Sequence, residues 1–568
     1  MKILLIVSAF NSLTQRLFCE LRDMNHEISV QYAISSEAMM QSVEEFAPDI
    51  IFSPYLKKYL PKEIFLNTPT FILHPGIRGD RGHNSLDHAI REEKSEWGVV
   101  ILKANEELDG GDIYAEVRFV MRGTYKASIY RNEVARAASK ALKELLANLT
   151  NKDFKPTPQL KSEMHHYLSQ QDRAIDWEKE TTKEIIKKIY MSDSYPGVKD
   201  EFLGLECYLF GAWQEESLRG APKEIIAKRD GAVCVGTVDG ALWISHMQEL
   251  GRFKLPSTYA LKEKIKGVKE VRIPLISEVG DITFHEISSK VIDDVGYLYF
   301  NFHNGAMHSE QCIRLKYAFD YLKESCKVIV LMGGEDFFSN GIHLNILQDS
   351  KKQGEDGWSN INAMNDVVKS ILFADEVITI ASLHRNAGAG GVFLALACDF
   401  VVAQEGVVLN PHYKTLGLSG SEYHTFSLSK RVGEEKAGEL LDECLPISVN
   451  SALKLGMIDK IFGYASYFQS LNEFAQKQCE DGESYDDFLY EKEDCLSQNS
   501  SLIEQKKEEE LRVMYREFWE EDSSFHKLRY DFVYKVCSLQ TPERLKRHKC
   551  RRKVSKDSGI TSDIVIKH

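Results

Sequence analysis

An alternation of apolar strands with amphipathic helices opens this chain, breaks off, and starts again at Val295. The first round reads "KILLIVSAF", "SLTQRLFCELRDM", "EISVQYAIS", "EAMMQSVEEFA" and "DIIFSPYL". The second reads "VGYLYFNF", "CIRLKYAFDYLKES", "KVIVLMGG", "EVITIAS" and "CDFVVAQEG". Each round is the signature of parallel βαβ units. A stretch of different character separates them, so they belong to different domains. At 568 residues the chain exceeds one hydrophobic core and calls for three or four units.

The boundaries follow the pattern. Residues 1–154 hold the first α/β unit, which ends in two strands joined by "NEELDGGD" and a long helix, "SIYRNEVARAASKALKELLANL". Residues 155–266 carry short β runs around Gly turns, such as "AVCVGTVDGALWISHMQEL", and form a small β-rich domain. Residues 267–466 are the second α/β unit, and 467–568 are a charged helical extension with the basic stretch "RLKRHKCRRKVSK". The last dozen residues are expected to be disordered.

Several function classes fall away on composition. A formal charge of −14 leaves no basic footprint for nucleic acid. No run approaches the roughly 18 apolar residues of a membrane span, and "MKILLIVSAFNS" is expected to be a first strand, not a secretory leader. The eleven cysteines, Cys19 to Cys550, form no CxxC pair, which fits free thiols in a reducing cytoplasm. The adjacent His165 and His166 make no metal motif, and no bound metal is expected. The first strand–helix turn, Ser8 to Ser12, has no glycine, so the dinucleotide fingerprint is missing.

The run "FILHPGIRGDRG" delivers His74 to the end of a strand, where open α/β sheets bind ligands. Asp109 lies in the Gly-Gly turn that leads back along the same sheet. A carboxylate beside an imidazole is what general acid–base transfer needs. Gly110 and Gly111 would let the backbone pass close to a flat ligand. A plain hairpin turn explains the same glycines equally well.

With "PDIIFSPYLKKYLP", "TPTFILHPG", "SLDHAI" and "WGVVILKANEELDGGDIY" in place, residues of roughly 40–120 resemble the 10-formyltetrahydrofolate-dependent formyltransferases, which have a Rossmann-like catalytic domain. The resemblance implies catalytic roles for His74 and Asp109 and a folate cleft between them. One position departs from it. Ile72 stands where those enzymes carry an oxyanion-binding Asn, a donor typically worth about 3–4 kcal/mol. A thiol acceptor tolerates that loss better than an amine, since a thiolate is already a strong nucleophile. "QQDRAIDW" is similar to the opening of the module that follows the catalytic domain in methionyl-tRNA formyltransferases, and Gln171, Asp172 and Arg173 are candidates for lining the folate cleft.

"FFSNGIHLN" and "NAGAGGVFLALACDFVVAQEGVVLNPHYKTLGL" resemble the crotonase, or enoyl-CoA hydratase/isomerase, superfamily over roughly 270–465. By that resemblance the backbone N–H groups of Ile342 and Gly390 hold a thioester oxygen. The hydratase carboxylates are missing: Phe393 takes the first position, and "NPHYK" has no Glu at the second. Water addition needs those carboxylates as acid and base, so a hydratase is not expected. Tyr413 and Glu422 are the proton-transfer candidates, with His412 also open.

Formyl transfer and thioester handling share one intermediate, formyl-CoA. The combination resembles [NiFe]-hydrogenase maturation factors and implies two substrates, 10-formyltetrahydrofolate and coenzyme A, with carbon monoxide as product for the hydrogenase iron. Arg16, Arg131 and Arg544 are candidates for the CoA phosphates. Hydrogenase maturation proteins or the large-subunit precursor are candidate partners. Two alternatives stay open: an amine-directed formyltransferase with a scaffold crotonase domain, and a non-catalytic maturation chaperone.

Overall fold

A computed structural model describes residues 1–548 apart from 163, 279–281 and 481. The disorder expected for the last dozen residues concerns positions outside the described residues. The first sheet has six strands, β1 (Lys2–Val7), β2 (Glu27–Tyr32), β3 (Ile50–Ser53), β4 (Thr70–His74), β5 (Glu96–Lys103) and β6 (Ile113–Val120). Their order is β2-β1-β3-β4-β5-β6. The first four are parallel, and β5 and β6 are antiparallel. In β1 every residue from Ile3 to Val7 is buried, because helices cover both faces of a parallel sheet. Helix Ser12–Asp23 starts where the Asn11 side chain accepts the Thr14 N–H at 3.0 Å, a cap that needs no glycine.

The helix expected after β6 contains an interruption. Residues Tyr130–Val134 form a π turn between Lys126–Ile129 and Ala135–Thr150. A π turn shifts side-chain direction within a helix and is frequent at functional sites. Here it lies where Tyr130 and Arg131 meet the main cavity.

The second sheet is antiparallel, built on Val198–Phe202, Leu205–Glu215, Ile225–Arg229, Ala232–Gly236 and Ala241–Glu249. Helix Thr182–Ser192 covers it, and starts with a reciprocal cap between Thr181 and Glu184. The third sheet is mixed, its long strands being Ile287–Ile292, Val295–Phe300, Val328–Gly333, Ile378–Leu383 and Phe400–Gln404. Beside it lies a four-stranded sheet of Phe337–Ser339, Asn386–Gly388, Val408–Asn410 and Ile447–Ser448.

The charged helices Tyr467–Glu480, Gly482–Trp519 and Ser524–Val533 pack on this third unit. Tyr467, Leu471 and Phe474 cover one face of its sheet, while Ile503, Met514, Phe518 and Phe525 enter the core on the other. Residues Thr541–His548 then cross to the first sheet and pack along β2. The Tyr32 N–H donates to Thr541 Oγ1 at 2.8 Å, and Ser29 Oγ lies 2.7 Å from His548 Nδ1. Leu545 and Val408 both join the first sheet's core, so the first and third units share packed surface.

Candidate active site

The carboxyl end of β4 opens into a cavity of about 1370 Å³. Ligand pockets usually run to roughly 300–1,000 Å³, so this one has room for more than one small molecule. His74, Asp109, Ile72, Gly110 and Gly111 line one end. Asn340, Asn386, Ala387 and Asn410, from the third unit, line the other, with Gln15 and Arg131 also in the wall.

Two carboxylates flank His74. Its Nε2 is 2.6 Å from Asp80 Oδ2, and its Nδ1 is 3.5 Å from Asp109 Oδ1. Burial alone would drive the imidazole to its neutral form, but the hydrogen bond to Asp80 and the charge of Asp109 outweigh it, and the pKa is raised. Asp80 is buried as well. Desolvation pushes its carboxyl up, yet the bond to His74 wins and its pKa is lowered. Asp109 has a left-handed backbone, φ +50°, and its Oδ2 accepts the Gly82 N–H at 3.1 Å. The His74–Asp109 pair is thus fixed by the hairpin turn of β5 and β6.

The glycines of that turn line the cavity, but Gly111 serves the sheet. A Cβ on Gly111 would fall 1.8 Å from the Lys103 carbonyl oxygen, so close approach to the backbone of β5 requires it.

The structure places Gln171, Asp172 and Arg173 outside the cavity lining, which corrects their assignment to the folate cleft. Asp172 closes a capping box with Ser169. Arg173 is fully buried, and its guanidinium donates to Asp87 Oδ1 at 3.1 Å and Ser192 Oγ at 2.9 Å. Lys126 reaches the same Asp87 from the cavity wall at 2.5 Å.

Two of the three candidate arginines for phosphates also lie elsewhere. Arg16 pairs with Glu20 one helical turn on, and Arg544 is exposed outside the cavity lining. Arg131 does line the cavity, bonded to Asp336 Oδ2 at 2.5 Å and to Asn304 Oδ1 at 3.2 Å.

The residues matched to the thioester site converge next to the far wall, although none of them lines the cavity. Strand Gly341–Ile342 runs against the start of helix Gly390–Leu396, and a Cβ on Gly341 would lie 3.2 Å from the Gly390 nitrogen. A Cβ on Gly390 would lie 2.5 Å from Glu422 Oε1. The glycine is what admits the carboxylate. Tyr413 donates its hydroxyl to Glu422 Oε2 at 2.6 Å, and the Glu422 N–H is held by Asn365 Oδ1 at 2.8 Å.

Phe393, in place of the hydratase glutamate, is fully buried and stacks on Tyr413 with ring centroids 5.3 Å apart. Burial pushes the Glu422 carboxyl up against the pull of Tyr413, and drives the Tyr413 phenol well above its ordinary value. Behind them, His424 Nδ1 sits 3.2 Å from Glu510 Oε1 on the long helix. Asn365 Nδ2, Tyr423 Oη and Glu510 Oε2 are buried here without a hydrogen-bond partner. Such groups cost about 1–3 kcal/mol each, a cost a purely structural core avoids.

Sequence reasoning missed Asp80, His165, Gln15 and Asn11 as neighbours of the site. Asp80 lies in the quoted "GIRGDRG" loop, but nothing in the spacing shows that the loop folds back onto the ring.

Comparison with known proteins agrees with this layout. The formyl transferase family matches residues 31–146, the formyl transferase C-terminal domain 167–263, and the enoyl-CoA hydratase/isomerase family 301–535. The last of these extends past 466 into the helical extension, consistent with its packing. The methionyl-tRNA formyltransferase of Pseudothermotoga lettingae is 26% identical over 35% of this chain and 66% of its own length. The hydrogenase maturation factor HoxX of Bradyrhizobium diazoefficiens is 35% identical over 99% of both chains. The crystal structure of HypX from Aquifex aeolicus in complex with tetrahydrofolic acid is 44% identical, covers 97% of this chain and 99% of its own, and superposes with a TM-score of 0.94. The chain joins a formyltransferase unit to a crotonase-like unit in the same order along its length, and it belongs to the HypX/HoxX family of hydrogenase maturation factors.

Proposed function

We propose that this protein makes carbon monoxide in two steps, formyl transfer from 10-formyltetrahydrofolate to coenzyme A and decarbonylation of formyl-CoA. The observation that carries the proposal is the single cavity with His74 and Asp109 at one end and Ala387, three residues before Gly390, at the other. Its size accommodates two substrates. The HypX relative with tetrahydrofolic acid bound supports folate as one of them.

At the first end, Asp109 takes the thiol proton as the C–S bond forms, and charged His74 gives N10 a proton as the C–N10 bond breaks and is restored from Asp109. Ile72 offers no hydrogen bond to the formyl oxygen. A positively charged His74 offers a charge-assisted donor instead, and such bonds are roughly twice as strong as neutral ones. Arg131 and Gln15 are among the polar wall groups available to CoA.

At the second end, the C–S bond of the thioester breaks with its electron pair left on sulfur. The formyl hydrogen leaves as a proton, and its bonding pair becomes the carbon lone pair of CO. Glu422 takes that proton and returns it to the thiolate, with Tyr413 holding the carboxylate through the cycle. Ile342 and Gly390 supply the N–H groups for the thioester oxygen. The product fits the iron ligand of a [NiFe]-hydrogenase, whose maturation proteins or large-subunit precursor are the partners. Both substrates are cytoplasmic molecules, which places the reaction there.

The test is CO capture by deoxyhaemoglobin after mixing the protein with both substrates. CO should require both, and His74→Ala should abolish tetrahydrofolate release. Glu422→Gln should leave that release intact and lower CO formation by about 10²-fold or more, with formyl-CoA accumulating. Folate turnover with an amine instead of CoA points to an amine formyltransferase, and no turnover at all to a chaperone.

A further inference from the structure

The two carboxylates at His74 are not equivalent. Asp109 lines the cavity with the histidine, whereas Asp80 lies behind the ring, outside the lining and 4% exposed. The loop makes room for it. A Cβ on Gly76 would fall 2.1 Å from Asp80 Oδ2 and 2.5 Å from His74 Nε2, so the glycine two residues past the histidine admits the contact. An ionised carboxylate only accepts, so a 2.6 Å contact requires the proton on Nε2. Nδ1 then faces Asp109, which favours a second N–H there.

Asp80 has a second neighbour. Its Oδ1 is 2.9 Å from His165 Nε2, and the His165 side chain is 31% exposed. His165 is held in place by its own backbone, whose N–H donates to the Arg81 carbonyl at 2.8 Å, and by its ring, which stacks on His88 at 4.3 Å. His166 meets the edge of the same His88 ring. The charged and titratable groups facing His74 are therefore Asp80 and Asp109, those facing Asp80 are His74 and His165, and His165 faces His88.

We propose that Asp80 is a positioning residue that holds His74 as a cation aimed into the cavity. This deepens the formyl-transfer reading and rests on it. No net proton is made or lost in the transfer itself, since sulfur gives one up and N10 gains one. The raised pKa of His74 and the lowered one of Asp80 agree with a charged pair.

The experiment uses the full-length protein labelled with [13Cε1]histidine, the His74 signal being assigned by its loss in His74→Gln. In Asp80→Asn, which keeps shape and removes charge, the His74 titration should move down by about one unit or more. The high-pH limb of tetrahydrofolate release should move with it. The kcat should fall by about 10²-fold, with KM for both substrates held within about twofold. His165→Phe, which keeps Asp80, should leave the His74 titration nearly in place, and a shift as large as that of Asp80→Asn would take the positioning role away from Asp80. An unchanged His74 titration in Asp80→Asn overturns the positioning role. If the wild-type protein releases no tetrahydrofolate with CoA, formyl transfer is the part that fails, while the titration still decides the role of Asp80.

Discussion

His74 and Glu422 hold their titrating groups in opposite ways: one ring is surrounded by carboxylates, and one carboxyl is buried with a phenol. His343 and His384 have no such carboxylate beside them. Burial lowers the pKa of His343 to about 4 and that of His384 to about 3. Both side chains are almost fully enclosed, at 7% exposure. The folded form keeps these rings neutral, so their contribution to stability is present above the unfolded value of 6.5 and is lost as pH falls below it toward the folded values. Each withdraws about 1.4 kcal/mol per pH unit in that window. Thermal scans should show a flat midpoint from pH 8 to 7 and a steep decline below 6. His384→Gln should lower the midpoint at pH 8 but flatten the decline, and an unaltered slope would count against the buried neutral ring. At this scale the sequence was informative where chemistry fixes the residue type. His74 and Asp109 were legible because a strand end and a turn define where they go. Asp80 was not, because its role depends on a loop fold set by Gly76, and a glycine's position does not reveal which contact it permits.

Elements place these residues, and capping and packing explain which polar groups are structural. Arg173 looked like a cleft residue because it opens a new module beside the folate domain. The structure instead ties it to Asp87 and Ser192 inside the joint between the two units. Removing one member of a buried ion pair leaves an uncompensated charge, usually at a cost of about 3–5 kcal/mol. Lys126 still pairs with Asp87, so Arg173→Met should lower the unfolding midpoint by less than full loss of the pair would, and KM for the folate should stay unchanged. A raised folate KM with an unchanged midpoint would restore the cleft assignment. The strand–helix order of both α/β units and the hairpin of the second domain followed directly from periodicity. The π turn at Tyr130–Val134 did not, because apolar spacing in a helix looks the same on either side of one inserted residue.

For the whole molecule, the shared cavity makes the fusion of two units meaningful. Formyl groups from folate should reach CO without mixing with added unlabelled formyl-CoA, as read from the isotope content of the CO in a competition experiment. Full dilution of the label would mean that the intermediate leaves and returns through solvent. The helical extension shows the limit of sequence at this scale. Its charge marked it as a helical extension beyond the third unit, yet one apolar face closes that unit's core. Residues Thr541–His548 then cover β2, the strand at the edge of the first sheet. Uncovered, β2 would offer a row of open backbone groups to any other chain. During synthesis β2 therefore leaves the ribosome with its edge bare and keeps it so until more than 500 further residues have followed. Synthesis of Thr541–His548 thus closes the edge of a sheet made far earlier, and a ribosome that stalls before them yields a product marked by an exposed strand.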